Sequence, residues 1–172
     1  MIKTTIVNLS GKLGTGKTTL IDEEDYLYVK QFSWHLTDKG SNRLYAVRST
    51  GKYINGKRQN LKFYLHRELL KATKGQIVDH INGNTLDNRK ENLRICNTAE
   101  NSRNQIGNFR LRKYSKYKGV KKNANCKTWS ARINFNKKCI YLGSFKTEKE
   151  AAKAYNAAAI IYFGKFARLN EL

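Results

Sequence analysis

The stretch Val78-Asp79-His80-Ile81-Asn82-Gly83-Asn84 decides how this 172-residue chain is read. It continues through Asp87-Asn88-Arg89-Lys90-Glu91-Asn92-Leu93-Arg94 to Glu100-Asn101-Ser102-Arg103-Asn104. Residues 76–79 read as an apolar strand that runs into a carboxylate and an imidazole on adjacent positions, which project to opposite sides of a strand. Asn82-Gly83-Asn84 signals a tight turn, an Asp/Asn-rich loop runs on to Asn92, and residues 93–95 form a second short strand. A helix over residues 98–105 then presents Asn101, with Asn104 one turn later. Two strands and a helix converge Asp79, His80, Asn92 and Asn101 on one small site.

Those residue types suit phosphodiester hydrolysis. The oxygen donors Asp79 and Asn101 fit a hard divalent cation such as Mg²⁺ (or Mn²⁺), which keeps positions for water and phosphate oxygens. A neutral His80 suits a general base that deprotonates the attacking water. Asn92 can fix either His80 or the loop by hydrogen bonding. Asn82, Asn84, Asp87 and Asn88 read as turn formers, and His66, at a helix start, as a packing or capping residue.

The pattern resembles the HNH, or ββα-metal, endonuclease family, most closely its phage and intron homing members. The likeness runs from about residue 66 to residue 105, with steps of twelve residues from His80 to Asn92 and nine from Asn92 to Asn101. The resemblance implies His80 as general base, Asp79 and Asn101 as metal ligands, and Asn92 as the central structural Asn. The third family letter is commonly His and here is Asn101, which leaves a non-catalytic DNA-binding regulator with a decayed site as the competing reading.

Composition agrees with a polyanionic partner. The chain carries 34 Lys+Arg against 13 Asp+Glu, a net charge of +21, and its pI is near 10.0. The excess is uneven: +6 over residues 1–65, +2 over 66–105 and +13 over 106–172. Between Glu100 and Glu148 there is no acid against 13 Lys or Arg, the mark of a surface that tracks phosphates. No apolar run approaches the ~18 residues of a membrane span and no signal-peptide core opens the chain, so the expected location is cytoplasmic, in a bacterial or phage-infected host cell. Cys96, Cys126 and Cys139 lack Cys-x-x-Cys spacing; they read as free thiols and exclude a zinc ribbon.

Residues 1–65 read as a strand-rich region: strands at 2–8, 17–21, 34–37, 45–50 and 61–65, with Asp22-Glu23-Glu24-Asp25 capping a helix to about Phe32. Asn55-Gly56 is a hairpin turn, and residues 66–71 form a short helix. Gly11 to Thr18 spells G-x-x-x-x-G-K-T, a phosphate loop in letters. Such a loop must open a helix toward the anion, whereas Thr18-Thr19-Leu20-Ile21 is β-prone; a β-turn and no nucleotide cofactor are expected.

Residues 106–116 form a basic linker carrying Arg110, Arg112 and Lys113. Beyond it, strands at 117–122, 128–135 and 138–145 precede a helix opened by the capping box Thr147-Glu148-Lys149-Glu150 and closed at Gly164. Val120, Trp129, Ala131, Ile133, Ile140 and Leu142 alternate toward that helix, whose Ala151, Tyr155, Ala158 and Tyr162 repeat at helical spacing. Lys121, Ser130, Arg132, Asn134 and Tyr141 alternate outward, as in sheets that enter a DNA groove. Tyr117-Lys118-Gly119-Val120, Trp129-Ser130-Ala131-Arg132-Ile133, Tyr141-Leu142-Gly143-Ser144-Phe145 and Glu150-Ala151-Ala152-Lys153-Ala154-Tyr155 closely resemble the Apetala-two/ethylene-response-factor DNA-binding domain. The resemblance implies double-stranded DNA contacts at Lys118, Lys121, Arg132, Asn134 and Tyr141. Arg132 stands where the plant family often has an acid and Cys139 where it has Arg, so the plant recognition sequence does not transfer.

The expected fold is α+β: a strand-rich region (1–65), a ββα-metal nuclease core (66–105), a linker (106–116) and a three-stranded sheet packed on one helix (117–172). The expected function is a homing-type, site-specific DNA endonuclease using a single divalent metal and a His general base. A monomer is the default oligomeric state.

Overall fold

Short β-branched and aromatic runs broken by Gly, Asn and Lys turns produce several small antiparallel sheets rather than one large one. The computed structural model describes residues 3–40, 43–55, 57–104, 115–124 and 126–172, and the chain divides into two compact units, Met1–Asn97 and Thr98–Leu172. Both units mix helices with small sheets, so the fold is α+β. Among the described residues no helix is long and apolar enough to cross a membrane.

In the first unit, strands β1 (Thr4–Asn8) and β2 (Thr18–Asp22) form an antiparallel hairpin. β3 (His35–Asp38), β4 (Leu44–Ile54) and β5 (Lys57–Tyr64) form an antiparallel three-stranded meander. The register Ile54↔Lys57 leaves two residues between β4 and β5; of the expected Asn55-Gly56 turn, Gly56 lies outside the described residues, while Asn55 has φ 50°. The helix α2 (Leu65–Leu69) follows, and β6 (Ile77–His80) pairs antiparallel with β7 (Leu93–Cys96). One core joins these pieces: Leu9, Ile21, Trp34, Leu36, Ala46, Leu65 and Leu93 are all buried in it. The N-terminal 65 residues and the β6–β7 hairpin thus bury their apolar faces together.

Two expectations for this unit are corrected. The helix expected from Asp22 to about Phe32 is only a 3-10 turn at Glu23–Asp25 followed by α1 (Tyr26–Val29). Asp22 makes no side-chain cap there; its carboxylate is buried and accepts the Lys90 N–H at 2.9 Å. An acid before a helix start can satisfy any nearby orphan amide, and the one it meets belongs to a distant loop.

The second unit begins with α3 (Thr98–Asn104). β8 (Val120–Lys122), β9 (Trp129–Phe135) and β10 (Lys138–Phe145) form an antiparallel sheet with β9 central. The helix α4 (Glu148–Phe163) carries the expected capping box: Glu150 N–H donates to Thr147 Oγ1 at 3.2 Å and Thr147 N–H donates to Glu150 Oε2 at 3.1 Å. Ala151, Ala152, Tyr155, Ala158, Ala159 and Phe163 are its buried residues, and it packs with Ile133, Phe135, Ile140 and Leu142 of the sheet. The small residues let helix and sheet approach closely. Gly119 lies under the same contact at φ 75°, where a Cβ would fall 2.1 Å from the Tyr155 ring and 2.6 Å from the Arg132 carbonyl oxygen.

Arg103 explains why α3 belongs here. Its guanidinium lies 5.5 Å from the Phe135 ring and 5.3 Å from the Phe163 ring, a cation–π arrangement. The chain end closes the unit through Asn170. Its side-chain oxygen accepts the Lys118 N–H at 2.6 Å and its Nδ2 donates to the Lys118 carbonyl at 3.1 Å. Asn170 also exchanges backbone-to-amide bonds with Asn156 on α4, at 2.7 and 2.9 Å.

Candidate nuclease site and nucleic-acid interface

Asp79 and His80 end β6, and register pairs them with Arg94 and Leu93 of β7. Both side chains are buried. Asp79 Oδ2 accepts from Arg94 Nε at 3.0 Å and from Arg94 Nη2 at 2.7 Å, a charge-assisted pair that fixes the carboxylate. The loop from residue 81 to 92 is held at its start and its middle by Asn92, whose Oδ1 accepts the Asn82 N–H at 2.9 Å while its Nδ2 donates to the Asp87 carbonyl at 2.7 Å. Of the two possibilities open for Asn92, its hydrogen bonds hold the loop.

Asn88 is the residue on His80. Fully buried, it sets Oδ1 3.2 Å from His80 Nε2 and donates from Nδ2 to Thr19 Oγ1 at 2.7 Å. Thr19, also fully buried, in turn donates to the Leu86 carbonyl at 2.7 Å. Asp87, by sequence a turn former like Asn88, is buried and paired bidentately with Arg89, at 2.8 Å for each bond. Arg89 holds the Asp87 carboxyl below the usual carboxylate range.

Around His80 lies an aromatic cluster that sequence patterning did not indicate. The His66 ring centroid is 5.1 Å from that of His80, and the Tyr45 ring is 6.1 Å from it. Tyr45 and Tyr64 flank His66 at 5.4 and 5.6 Å. Burial lowers the pKa of His80 against the opposing pull of Asn88, Asp79 and Asp87. Burial first, then repulsion from the protonated form of His80 and from Arg67, pushes His66 down to about 3. Both imidazoles are neutral near pH 7, the form a proton acceptor needs. His66 packs, as expected, but its neighbour is the candidate base.

Asp79 and His80 thus end β6, and Asn92 closes the loop just before β7, its carbonyl accepting the Ile81 N–H at 2.8 Å. Asn101 lies half-buried on α3, in the second unit. Asp22, Glu24 and Asp25 form a group of three carboxylates, but Lys90 supplies the cation there: its Nζ meets Glu24 at 2.5 Å and Asp25 at 2.9 Å. The phosphate-loop letters join β1 to β2, so Lys17 leads into a strand of an antiparallel hairpin and not into a helix.

On the second unit, Lys121, Arg132, Asn134 and Tyr141 are exposed, and Arg132 lies opposite Tyr141 in register with its guanidinium 5.8 Å from the ring. Lys118, expected in the same row, is half-buried, and its Nζ donates to the Arg103 carbonyl at 2.5 Å. Ser130, expected to face outward, is buried: it sits mid-sheet between Lys121 and Ser144, and its hydroxyl donates to the Lys121 carbonyl at 3.2 Å. Arg110, Arg112 and Lys113 lie outside the described residues. None of the three cysteines forms a disulfide; Cys96 is buried and Cys126 and Cys139 are exposed.

The β6–loop–β7 hairpin with its Asp-His pair, followed in the chain by α3, has the element order of a ββα nuclease segment. A family model described as HNH endonuclease matches residues 71–103. An uncharacterized HNH endonuclease of Acanthamoeba polyphaga mimivirus is 31% identical over 168 residues, 93% of this chain and 79% of that protein. The chain belongs to the HNH endonuclease family. A shorter likeness is to plant proteins. An AP2-like ethylene-responsive transcription factor of Arabidopsis thaliana is 38% identical over 89 residues, 42% of this chain and 26% of that protein. An APETALA2-like protein of Oryza sativa subsp. indica is 48% identical over 58 residues, 33% of this chain and 13% of that protein. The chain thus spans only a small part of these plant factors.

Proposed function

We propose that this chain is a homing-type, site-specific DNA endonuclease, which hydrolyses a phosphodiester bond with one divalent cation and His80 as general base. The observation that carries the reading is His80 itself: a buried imidazole held neutral, beside a fixed carboxylate, in the segment that matches the HNH family. Neutral His80 takes the proton of the attacking water, the role open to an imidazole that titrates below neutrality. Arg94 keeps the Asp79 carboxylate aimed. The Asp79 carboxylate suits a hard cation such as Mg²⁺ or Mn²⁺, and the HNH likeness names Asn101 as its companion ligand. A bound cation would supply positive charge to the phosphoryl oxygens and the departing 3′ oxygen.

Holding the duplex falls to the second unit. The chain's likeness to plant transcription factors and the exposed Lys121, Arg132, Asn134 and Tyr141 of this unit support a sheet laid into a DNA groove. Arg110, Arg112 and Lys113 would add phosphate contacts from the acid-free run.

The test is supercoiled plasmid carrying candidate sites, incubated with the full chain and Mg²⁺ or Mn²⁺. Nicked or linear product is expected with the metal, and none with EDTA or with His80→Ala. Persistent supercoils with the wild-type protein, while a gel shift shows retained binding, would establish the regulator reading instead.

A further inference from the structure

We infer that β2 belongs to the catalytic apparatus: a hydrogen-bond relay from Thr19 through Asn88 fixes the His80 ring as its Nε2–H tautomer and so assigns Nδ1 as the basic nitrogen. The inference rests on the reading of His80 as general base; Thr19 and Asn88 act through His80 and are positioning residues.

The directions follow from what each group can donate. A carbonyl only accepts, so the Thr19 hydroxyl gives its one proton to the Leu86 oxygen, 2.7 Å away. Thr19 Oγ1 is then an acceptor toward Asn88, and the Asn88 group facing it at 2.7 Å must be the NH₂. That sets the amide the other way round toward the histidine, with Oδ1 facing Nε2 at 3.2 Å. An amide oxygen cannot donate, so a neutral ring carries its hydrogen on Nε2 and its lone pair on Nδ1. Turning the amide over would place Oδ1 against Thr19 and take the hydroxyl proton away from the Leu86 carbonyl, inside a fully buried pair of side chains.

The backbone makes the relay rigid. Leu20 N–H donates to the Leu86 carbonyl at 2.9 Å and Asn88 N–H to the Leu20 carbonyl at 2.8 Å, so a parallel bridge from Leu20 to Asp87 ties β2 to the loop. The Tyr45 and His66 rings oppose rotation of the imidazole itself. A scaffold that fixes the tautomer of a histidine base is a recurrent device for orienting proton transfer.

The experiment is ¹⁵N–¹H spectroscopy of the imidazoles in the full chain without metal, where only His35, His66 and His80 contribute, together with steady-state cleavage. Wild-type His80 is expected as the Nε2–H tautomer. Thr19→Val, which keeps the shape and loses the hydroxyl, and Asn88→Ala should move it to a mixture or to Nδ1–H. They should lower kcat about tenfold or more, with KM within about twofold. Thr19→Ser should restore both readouts, with folding of each variant checked by thermal unfolding. A wild-type His80 found as Nδ1–H overturns the inference without any variant. So does an unchanged tautomer in folded Thr19→Val and Asn88→Ala. If the tautomer responds as expected but the wild-type chain cleaves no DNA under any metal, the relay stands and the nuclease reading falls.

Discussion

Acid should unfold the first unit through His66. Its ring is 7% exposed and enclosed by Tyr45, Tyr64 and His80. Burial first, then the cationic forms of His80 and Arg67, lower its pKa from 6.5 to about 3. In the unfolded chain His66 takes up a proton below about pH 6.5, whereas the folded protein resists it until about pH 3. The unfolded state therefore holds more protons in that window, and stability falls as the pH falls. Each pH unit costs about 1.4 kcal/mol, so by about pH 4.5 His66 alone removes about 3 kcal/mol. His66→Phe keeps an aromatic ring among the same neighbours and removes the titration. The assay is urea unfolding read by the buried Trp34 in a Trp129→Phe background, at several pH values between about 7.5 and 4.5. The stability of His66→Phe relative to the parent should rise by about 2–3 kcal/mol across that range. His80 titrates in both proteins and largely cancels. A stability difference constant to within about 0.5 kcal/mol would show that His66 is protonated as readily folded as unfolded, and the reasoning would fail.

Further perturbations address the second unit. Gly119→Ala combines a positive φ with a Cβ driven into Tyr155 and the Arg132 carbonyl, and should destabilise that unit by about 3 kcal/mol or more, measured by thermal unfolding. Asn170→Ala removes both side-chain bonds to the Lys118 backbone and should cost about 1–3 kcal/mol in the same measurement. Thr147→Ala loses the capping box of α4 and should cost about 1 kcal/mol, with Thr147→Ser near neutral. For DNA, Arg132→Ala tested in gel shifts at several salt concentrations should reduce the salt slope by about 0.9 if the guanidinium meets a phosphate. An unchanged slope together with relaxed site preference would place it on a base edge.

Much of the site was legible because its chemistry is local. Asp79 and His80 are neighbours at a strand end, and the capping box and the full extent of β10 follow from short-range rules that the structure obeys. What the sequence hid depends on register and on contacts far along the chain. Asn88 and Asn92 are the same residue type in the same loop, and only the β6–β7 pairing decides that Asn92 ties the loop while Asn88 reaches the histidine. Thr19 is 69 residues from Asn88 and directly follows the letters of the phosphate-loop pattern. Asp22 looked like a helix cap because local acids complement a helix start, yet a loop amide 68 residues away claims it. Ser130 follows the outward alternation but is covered because a small side chain at mid-sheet has neighbours on both flanks.

The strand β2 touches the loop at Leu86, Asn88 and Lys90, and this has a consequence for descent. A gene fragment encoding residues 66–105 would carry the recognisable letters to a new host protein without the strand that steadies the histidine. If the relay orients the base as proposed, recombination that preserves cutting moves residues 18–22 together with 77–93, even though more than fifty codons separate them. The hallmark segment is a signature of the enzyme but not its smallest heritable piece.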